Sequence, residues 1–168
     1  MTPEFSPEAE RRVEAIRVRY PDDQPMAALI PVLYLAQEEF GYLTVEVMEL
    51  VASRLSLPRA QVLNTATFYS MLRKKPVGKH HVQVCTNVSC WLRGADELLS
   101  HIEGKLGVLL GETTFDRTFT LDEVQCLGSC GTAPVVQIDD RYYENVTADE
   151  IDAVLDALAR GGDPPDDD

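Results

Sequence analysis

The sequence predicts an α+β protein in which an N-terminal helical bundle is followed by an α/β domain with a mixed sheet. Apolar residues recur with helical spacing through most of residues 1–75, whereas short alternating stretches typical of strands appear only after that region. Residues 73–80, RKKPVGKH, separate the two patterns and have the proline, glycine and charge content of a linker. We therefore expect the bundle over residues 1–75, the second domain over 76–162 and an acidic, disordered tail over 163–168.

The first half of the bundle is predicted as two helices. Ser6 is a suitable N-cap, Pro7 suits the first helical position, and Pro21 is expected to stop the first helix. The inward residues of this helix are Val13, Ile16 and Tyr20. The second helix lies within residues 26–41, which are apolar over most of the helix surface and should be buried on several sides. Pro31 leaves the first residue of this helix undefined.

Two further helices complete the bundle. Thr44 is predicted to begin the third helix, and Pro58 is predicted to begin the fourth. The inward residues of the third helix are Val47, Met48, Val51 and Leu55. Those of the fourth helix are Val62, Ala66, Tyr69 and Met71 or their near neighbours.

The second domain begins with a strand and a helix. The strand covers residues 81–85, with Val82 and Val84 on one face, and runs directly into the segment CTNVSC. The helix that follows has a continuous apolar stripe, which comprises Trp91, Ala95, Leu98, Leu99, Ile102 and Leu106. This pattern predicts that Trp91 packs in the core, and Gly107 and Gly111 are expected to end the helix.

Strands dominate the next part of the domain. Residues 119–121 alternate as in a strand that leads into the segment CLGSC. Residues 134–138 and 142–146 predict a hairpin that turns at Asp139 and Asp140. Both cysteine-containing segments are therefore expected on loops at strand ends.

The last helix is predicted from TADE at residues 147–150, which is a capping box, and Gly161 is expected to close it. The predicted order after the linker is then β, α, β, β, β, α. A parallel unit followed by an antiparallel hairpin gives a mixed sheet with helices packed over it.

The composition excludes several classes of partner. The formal net charge is −13 and the isoelectric point is about 4.5, so nucleic acid and anionic membrane surfaces would repel the chain. No stretch approaches the ~20 apolar residues of a membrane span, and the first residues have no apolar signal segment. We expect a cytosolic protein without membrane insertion, whose cysteines stay reduced.

Four cysteines provide the main functional signal. Cys85 and Cys90 form one close pair, Cys126 and Cys130 form another, and the chain has no further cysteine. Structural zinc sites and dithiol redox sites favour C-x-x-C spacing, which neither pair has. A [2Fe-2S] cluster requires two thiolate pairs over a larger volume. The spacing favours the cluster, while a structural zinc site and a catalytic dithiol remain open as alternatives.

The composition of the two loops agrees with a cluster. Residues 86–89 and 127–129 are uncharged, so the loops place no carboxylate against a group that becomes more negative on reduction. Their backbone N–H groups can point at the sulfurs instead. Cys90 opens a helix, whose dipole would favour a thiolate by ~0.3–1 kcal/mol, and Gly128 allows a close approach of the backbone.

The cysteine segments also resemble a known family. VQVCTNVSCWLRGADEL and VQCLGSCGTAPVVQI, with ATFYSML and LAQEEFGYL upstream, resemble the thioredoxin-like [2Fe-2S] ferredoxin family, which provides a subunit of the NADH:quinone oxidoreductase of respiratory complex I. The resemblance covers roughly residues 20–160. It implies a thioredoxin-like fold for the second domain. It also implies one [2Fe-2S] cluster, with one loop for each iron and the ligands Cys85, Cys90, Cys126 and Cys130.

The resemblance further implies an electron-transfer subunit that is not an enzyme on its own. Such a protein exchanges single electrons with the FMN of a larger, NADH-binding partner subunit and lies near another iron-sulfur subunit. FMN is expected on the partner only, since this chain has no G-x-G-x-x-G segment after a strand. The implied location is cytoplasmic, peripheral to the inner membrane through the complex. Equivalent subunits of NAD-linked hydrogenases or formate dehydrogenases share the motifs, so the host complex stays open.

Other polar residues are given structural roles. His80 and His81 lie at a strand entry, where one side chain is expected to face solvent, and four cysteines leave no ligand position for them. His101 lies off the apolar stripe and is predicted at the surface. The peptide bond before Pro134 is expected to be trans, as most X-Pro bonds are. A basic run is interpreted as a solvated turn, and it comprises Arg73, Lys74, Lys75 and Lys79.

Overall fold

The chain folds as two compact units, which divide between Pro76 and Val77. The computed structural model describes residues 3–164, so residues 165–168 of the predicted tail lie outside the described residues. Within the described residues the first unit contains helices and the second contains helices and one sheet. The predicted fold class, a helical bundle followed by an α/β domain with a mixed sheet, is confirmed.

The helices of the first unit begin where the capping residues predict. They are α1 (Pro7–Arg17), α2 (Leu29–Phe40), α3 (Val45–Leu55) and α4 (Arg59–Phe68), with a short 3-10 helix at Pro25–Ala28. Ser6 caps α1 through its side chain, and Thr44 caps α3 in the same way. Pro31 lies in the first turn of α2, where a backbone N–H has no intrahelical partner and its loss costs little. α1 ends at Arg17, and Pro21 has no N–H that could continue the helix by bonding the Arg17 carbonyl four residues back.

A buried glutamine fixes the segment after α4. The Gln37 side chain is only 7% exposed. Its Oε1 accepts a hydrogen bond from the Arg73 backbone N–H at 2.6 Å, and its Nε2 donates to the Met71 carbonyl at 3.2 Å. This connection turns the chain so that Leu72 is fully buried and Met71 is exposed. The prediction named Met71 or a near neighbour as the inward residue. In the structure it is the neighbour, Leu72.

The second unit has the predicted order of strands, with two helices in place of the single helix predicted after the first strand. Its elements are β1 (His80–Cys85), α5 (Val88–Leu92), α6 (Ala95–Leu106), β2 (Phe119–Val124), β3 (Val136–Ile138), β4 (Arg141–Tyr143) and α7 (Ala148–Ala159). The strands form one sheet in the order β2, β1, β3, β4. β1 pairs in parallel with β2 and antiparallel with β3, and β3 and β4 form the predicted hairpin. No helix within residues 3–164 is long and apolar enough to cross a membrane.

The single helix predicted after Cys90 is in fact two helices. Gly94 adopts a left-handed conformation with φ of 89° and separates α5 from α6. The break rotates α5 away from the apolar stripe, which begins only at Ala95. Trp91 is 55% exposed as a result, so the prediction that it packs in the core is wrong. The stripe of α6 does contribute Leu98 and Ile102 to the core with β1.

The two histidines at the start of β1 are both held by carboxylates. His80 Nδ1 lies 2.8 Å from Asp139 Oδ2, and His81 Nε2 lies 2.6 Å from Asp122 Oδ2. Their side chains are only 13% and 10% exposed. The expectation that one of them faces solvent is therefore wrong, because each finds a polar partner within the fold. His101 is partly exposed and lies 2.8 Å from Asp152 Oδ1.

The capping box of α7 gives a test of the fold. Thr147 Oγ1 accepts from the Glu150 N–H, and the Glu150 carboxylate accepts from the Thr147 N–H, so two free donors of the helix start are satisfied together. We expect Thr147→Ala to lower the free energy of unfolding by about 1 kcal/mol. Thr147→Ser keeps the hydroxyl and is the matched control. Urea unfolding measures both, and equal stability of the two variants would contradict the role of the cap.

Candidate metal centre

Two parallel strands bring the cysteine pairs to one edge of the sheet. Cys85 is the last residue of β1 and lies in register with Val124, the last residue of β2. Cys126 follows β2 by two residues. Because parallel strands end at the same edge, the loops that follow β1 and β2 start side by side. Both cysteine segments lie at strand ends as predicted, but Cys85 itself belongs to β1 and Cys90 to α5, on either side of the loop between them.

The first loop is short and tied to both neighbouring strands. The Cys85 N–H donates to the Val135 carbonyl at 3.1 Å, and the Thr86 N–H donates to the Val124 carbonyl at 3.0 Å. The chain then enters α5, in which Cys90 is the third residue. These hydrogen bonds fix where the first cysteine pair lies relative to the sheet.

The second loop is organised by a glycine and a short helical turn. Gly128 has φ of 81°, a conformation that side chains disfavour, and its N–H donates to Cys126 Sγ at 3.3 Å. Cys130 opens a 3-10 turn that covers Cys130–Thr132. The sequence-based expectation that backbone N–H groups point at the sulfurs is thus met at Cys126.

The four thiols differ in their exposure. Cys85 and Cys90 are 3% and 2% exposed, whereas Cys126 and Cys130 are exposed. The buried pair belongs to a small apolar cluster that includes Ala95, Ala133 and Val135. Apolar side chains therefore keep water from one half of the site and leave the other half open.

The protonation of Cys90 argues against a reactive dithiol. Burial and a hydrogen bond with Cys85 together raise the pKa of the Cys90 thiol to about 11, although a hydrogen bond from the Val135 backbone acts in the opposite direction. Cys130 also lies close enough to contribute to this shift. Redox cysteines are activated by a lowered pKa, which is the opposite effect. Cys90 therefore lacks the lowered pKa of an activated redox thiol.

The donor set of the site consists of four thiols. All four are free thiols. In residues 3–164, no three side chains of histidine, cysteine, aspartate or glutamate converge closely enough to hold one metal ion. A [2Fe-2S] cluster takes two thiolates on each of two irons. The donor set, two thiols from each of two adjacent loops, has the composition that the cluster requires.

A carboxylate that the sequence did not indicate contacts the second loop. Glu144 directly follows β4, and its Oε1 accepts hydrogen bonds from the Ser129 hydroxyl and, at 2.7 Å, from the Thr132 hydroxyl. These bonds hold the pKa of Glu144 below its usual value. The loops themselves carry no charge, as predicted, but a neighbouring strand supplies one. Nothing in the spacing of Glu144 from the cysteines indicates this contact.

A cleft borders the second loop. It has a volume of about 690 Å³ and is lined in part by Arg93, Pro134 and the start of α7. Arg93 Nε donates to the Ala133 carbonyl at 3.4 Å. The peptide bond between Ala133 and Pro134 is cis, so the prediction of a trans bond, which followed the general preference, is wrong.

The sequence is similar to a family of electron-transfer proteins. The model of the thioredoxin-like [2Fe-2S] ferredoxin family matches residues 13–159. The E subunit of the NADH-quinone oxidoreductase of Rickettsia conorii is 48% identical over 86% of this chain and 87% of the relative. An E subunit of the same enzyme from Rhizobium meliloti is 46% identical over 87% of this chain and 86% of the relative.

One solved structure shows the same fold at lower sequence similarity. The air-oxidised NAD+-reducing [NiFe]-hydrogenase superposes with a TM-score of 0.68 and 22% identity, over 79% of this chain and 23% of the hydrogenase chain. This likeness supports the fold and gives no information on activity.

Two glycines of the second loop provide a matched test of its geometry. An added Cβ would meet no described atom within 4 Å at Gly128 or at Gly131, but only Gly128 has a positive φ. We expect Gly128→Ala to destabilise the chain by about 1–2 kcal/mol through backbone strain. Gly131→Ala should be neutral or slightly stabilising because it restricts the unfolded chain. Urea unfolding of the metal-free variants measures both, and equal midpoints would contradict this assignment.

Proposed function

The chain belongs to the thioredoxin-like [2Fe-2S] ferredoxin family, and from this premise we propose that Cys85, Cys90, Cys126 and Cys130 ligate one [2Fe-2S] cluster. The observation that supports this assignment is that β1 and β2 end at the same edge of the sheet, so that the segments carrying the two cysteine pairs start side by side. The two loops are separate, so each supplies the two thiolates of one iron.

The chain orients the cluster and controls its access to solvent. When bound, such a cluster accepts and releases one electron at a time. Apolar packing around Cys85 and Cys90 excludes water from the inner half of the site. Cys126 and Cys130 lie at the surface. We therefore place electron exchange with a partner on the side of the second loop.

The proposed biological role is that of an electron-transfer subunit of an NADH:quinone oxidoreductase. Two relatives that bear this name are 46–48% identical to this chain, and the match extends over most of the length of each relative. This similarity supports assigning the same role to this chain. The chain would exchange single electrons with FMN on an NADH-binding partner subunit, beside another iron-sulfur subunit. It would have no catalytic activity alone and would lie in the cytoplasm, attached to the inner membrane through its complex.

The hydrogenase alternative has weaker support. Its structure is 22% identical and this chain matches 23% of its length, so the likeness concerns the fold alone. The relatives with high identity carry the name of the quinone oxidoreductase. That difference in similarity favours the NADH:quinone oxidoreductase as the host complex.

The metal content of the chain tests the cluster directly. We expect anaerobically purified protein to contain about two iron and two acid-labile sulfide per chain, as a [2Fe-2S] centre requires. Cys90→Ser should lower both contents, since it removes a buried ligand, and Ser100→Ala, a surface change on α6, is the control. Iron and sulfide assays with absorption spectra give the measurement. Stoichiometric zinc without sulfide would support the zinc alternative, and a metal-free chain that cycles as a disulfide would support the dithiol.

The helical unit is proposed to dock the chain in its complex. It has its own hydrophobic core, and all four cysteines lie in the other unit. We expect a chain that starts at residue 77 to keep the cluster spectrum but to lose co-purification with the flavin-bearing subunit. Cooperative thermal unfolding of the fragment is the control for its integrity. Co-purification at the level of the full chain would count against a docking role.

A further inference from the structure

Glu144 connects the end of β4 to the exposed cysteine loop. On the basis of the proposed function, we propose that Glu144 is a positioning residue that holds the loop around Cys130 and lowers the reduction potential of the bound cluster. The carboxylate reaches Ser129, which precedes Cys130, and Thr132, which follows it by two residues. The two contacts therefore enclose one cluster ligand from both sides.

The hydrogen bonds account for the positioning role. The hydroxyls of Ser129 and Thr132 lie 2.8 Å apart, and the Thr132 N–H donates to the Ser129 carbonyl at 3.2 Å. Each hydroxyl has only one proton to donate. An ionised carboxylate is the stronger acceptor, so Glu144 Oε1 takes both protons and draws the two residues together. The 3-10 turn that begins at Cys130 is held closed in this way.

The backbone after Glu144 strengthens the same connection. The Asn145 N–H donates to the Thr132 carbonyl at 2.7 Å. On the other side of Glu144, the Tyr142 hydroxyl donates to the Leu127 carbonyl at 3.0 Å. Tyr142, Glu144 and Asn145 thus all form hydrogen bonds with the second loop. Glu144 is the only charged residue of the three.

The charge accounts for the effect on the potential. With four thiolates the oxidised cluster has a formal charge of about −2, and reduction makes it more negative. A carboxylate nearby repels the added electron and favours the oxidised form. Glu144 is ionised at neutral pH, since the hydroxyl contacts lower its pKa. It lies on the exposed side, beside Cys130, where the loops themselves contribute no charge.

Three variants of the full chain separate charge from positioning. Glu144→Gln removes the charge and keeps an oxygen acceptor for the hydroxyls. Thr132→Val removes one hydrogen bond and keeps the charge. Asp140→Asn is the matched control, because it removes one carboxylate from the turn at the opposite end of β4. The measurements are a redox titration of the cluster-loaded chain, followed by electron paramagnetic resonance, and the rate of cluster loss to a chelator.

We expect Glu144→Gln to favour reduction by up to about tenfold, a shift of up to about 59 mV to more positive potential for a one-electron couple. Thr132→Val should lose the cluster several-fold faster with a smaller shift of potential. Asp140→Asn should change both quantities least. A potential of Glu144→Gln equal to that of Asp140→Asn would overturn the electrostatic part, and cluster loss from Thr132→Val at the wild-type rate would overturn the positioning part. Wild-type chain without iron and sulfide would overturn the proposed function together with this inference.

Discussion

The parallel pairing of β1 with β2 is the constraint on which the site depends. Only parallel neighbours end at the same edge of a sheet, so this pairing brings together two cysteine loops that are far apart in sequence. The register of Cys85 with Val124 then sets the offset between the loops. β3, on the other side of β1, continues from Val135, whose carbonyl accepts the N–H of Cys85. The pairing of β1, the central strand, thus sets where the two cysteine loops lie relative to each other.

The two halves of the site are built by different means. Around Cys85 and Cys90, apolar packing excludes water, and this burial raises the pKa of the Cys90 thiol. Around Cys130 the loop is exposed, and the hydroxyls of Ser129 and Thr132 donate hydrogen bonds to Glu144. In the proposed centre, a buried inner pair and an exposed outer pair would hold the cluster and leave one side of it open to a partner. This combination suits electron transfer between proteins.

Local signals were sufficient for much of the fold. Helix caps at Ser6, Thr44 and Thr147 act over three residues, and the structure has each of them as predicted. The cysteine loops also follow from local pattern, since each adjoins a strand with clear alternation. Features that depend on tertiary contacts were missed. The exposure of Trp91 follows from one backbone angle at Gly94, and the contact of Glu144 with the second loop exists only after the hairpin has paired.

In the proposed centre, two loops hold two irons in one cluster. Mössbauer spectra of the chain loaded with isotopically enriched iron test it most directly, because they resolve the oxidation state and the ligands of each iron site. We expect two ferric sites with tetrahedral sulfur coordination, of which one becomes ferrous when the chain takes up a single electron. A spectrum with one mononuclear iron site, or two sites that change together, would contradict it.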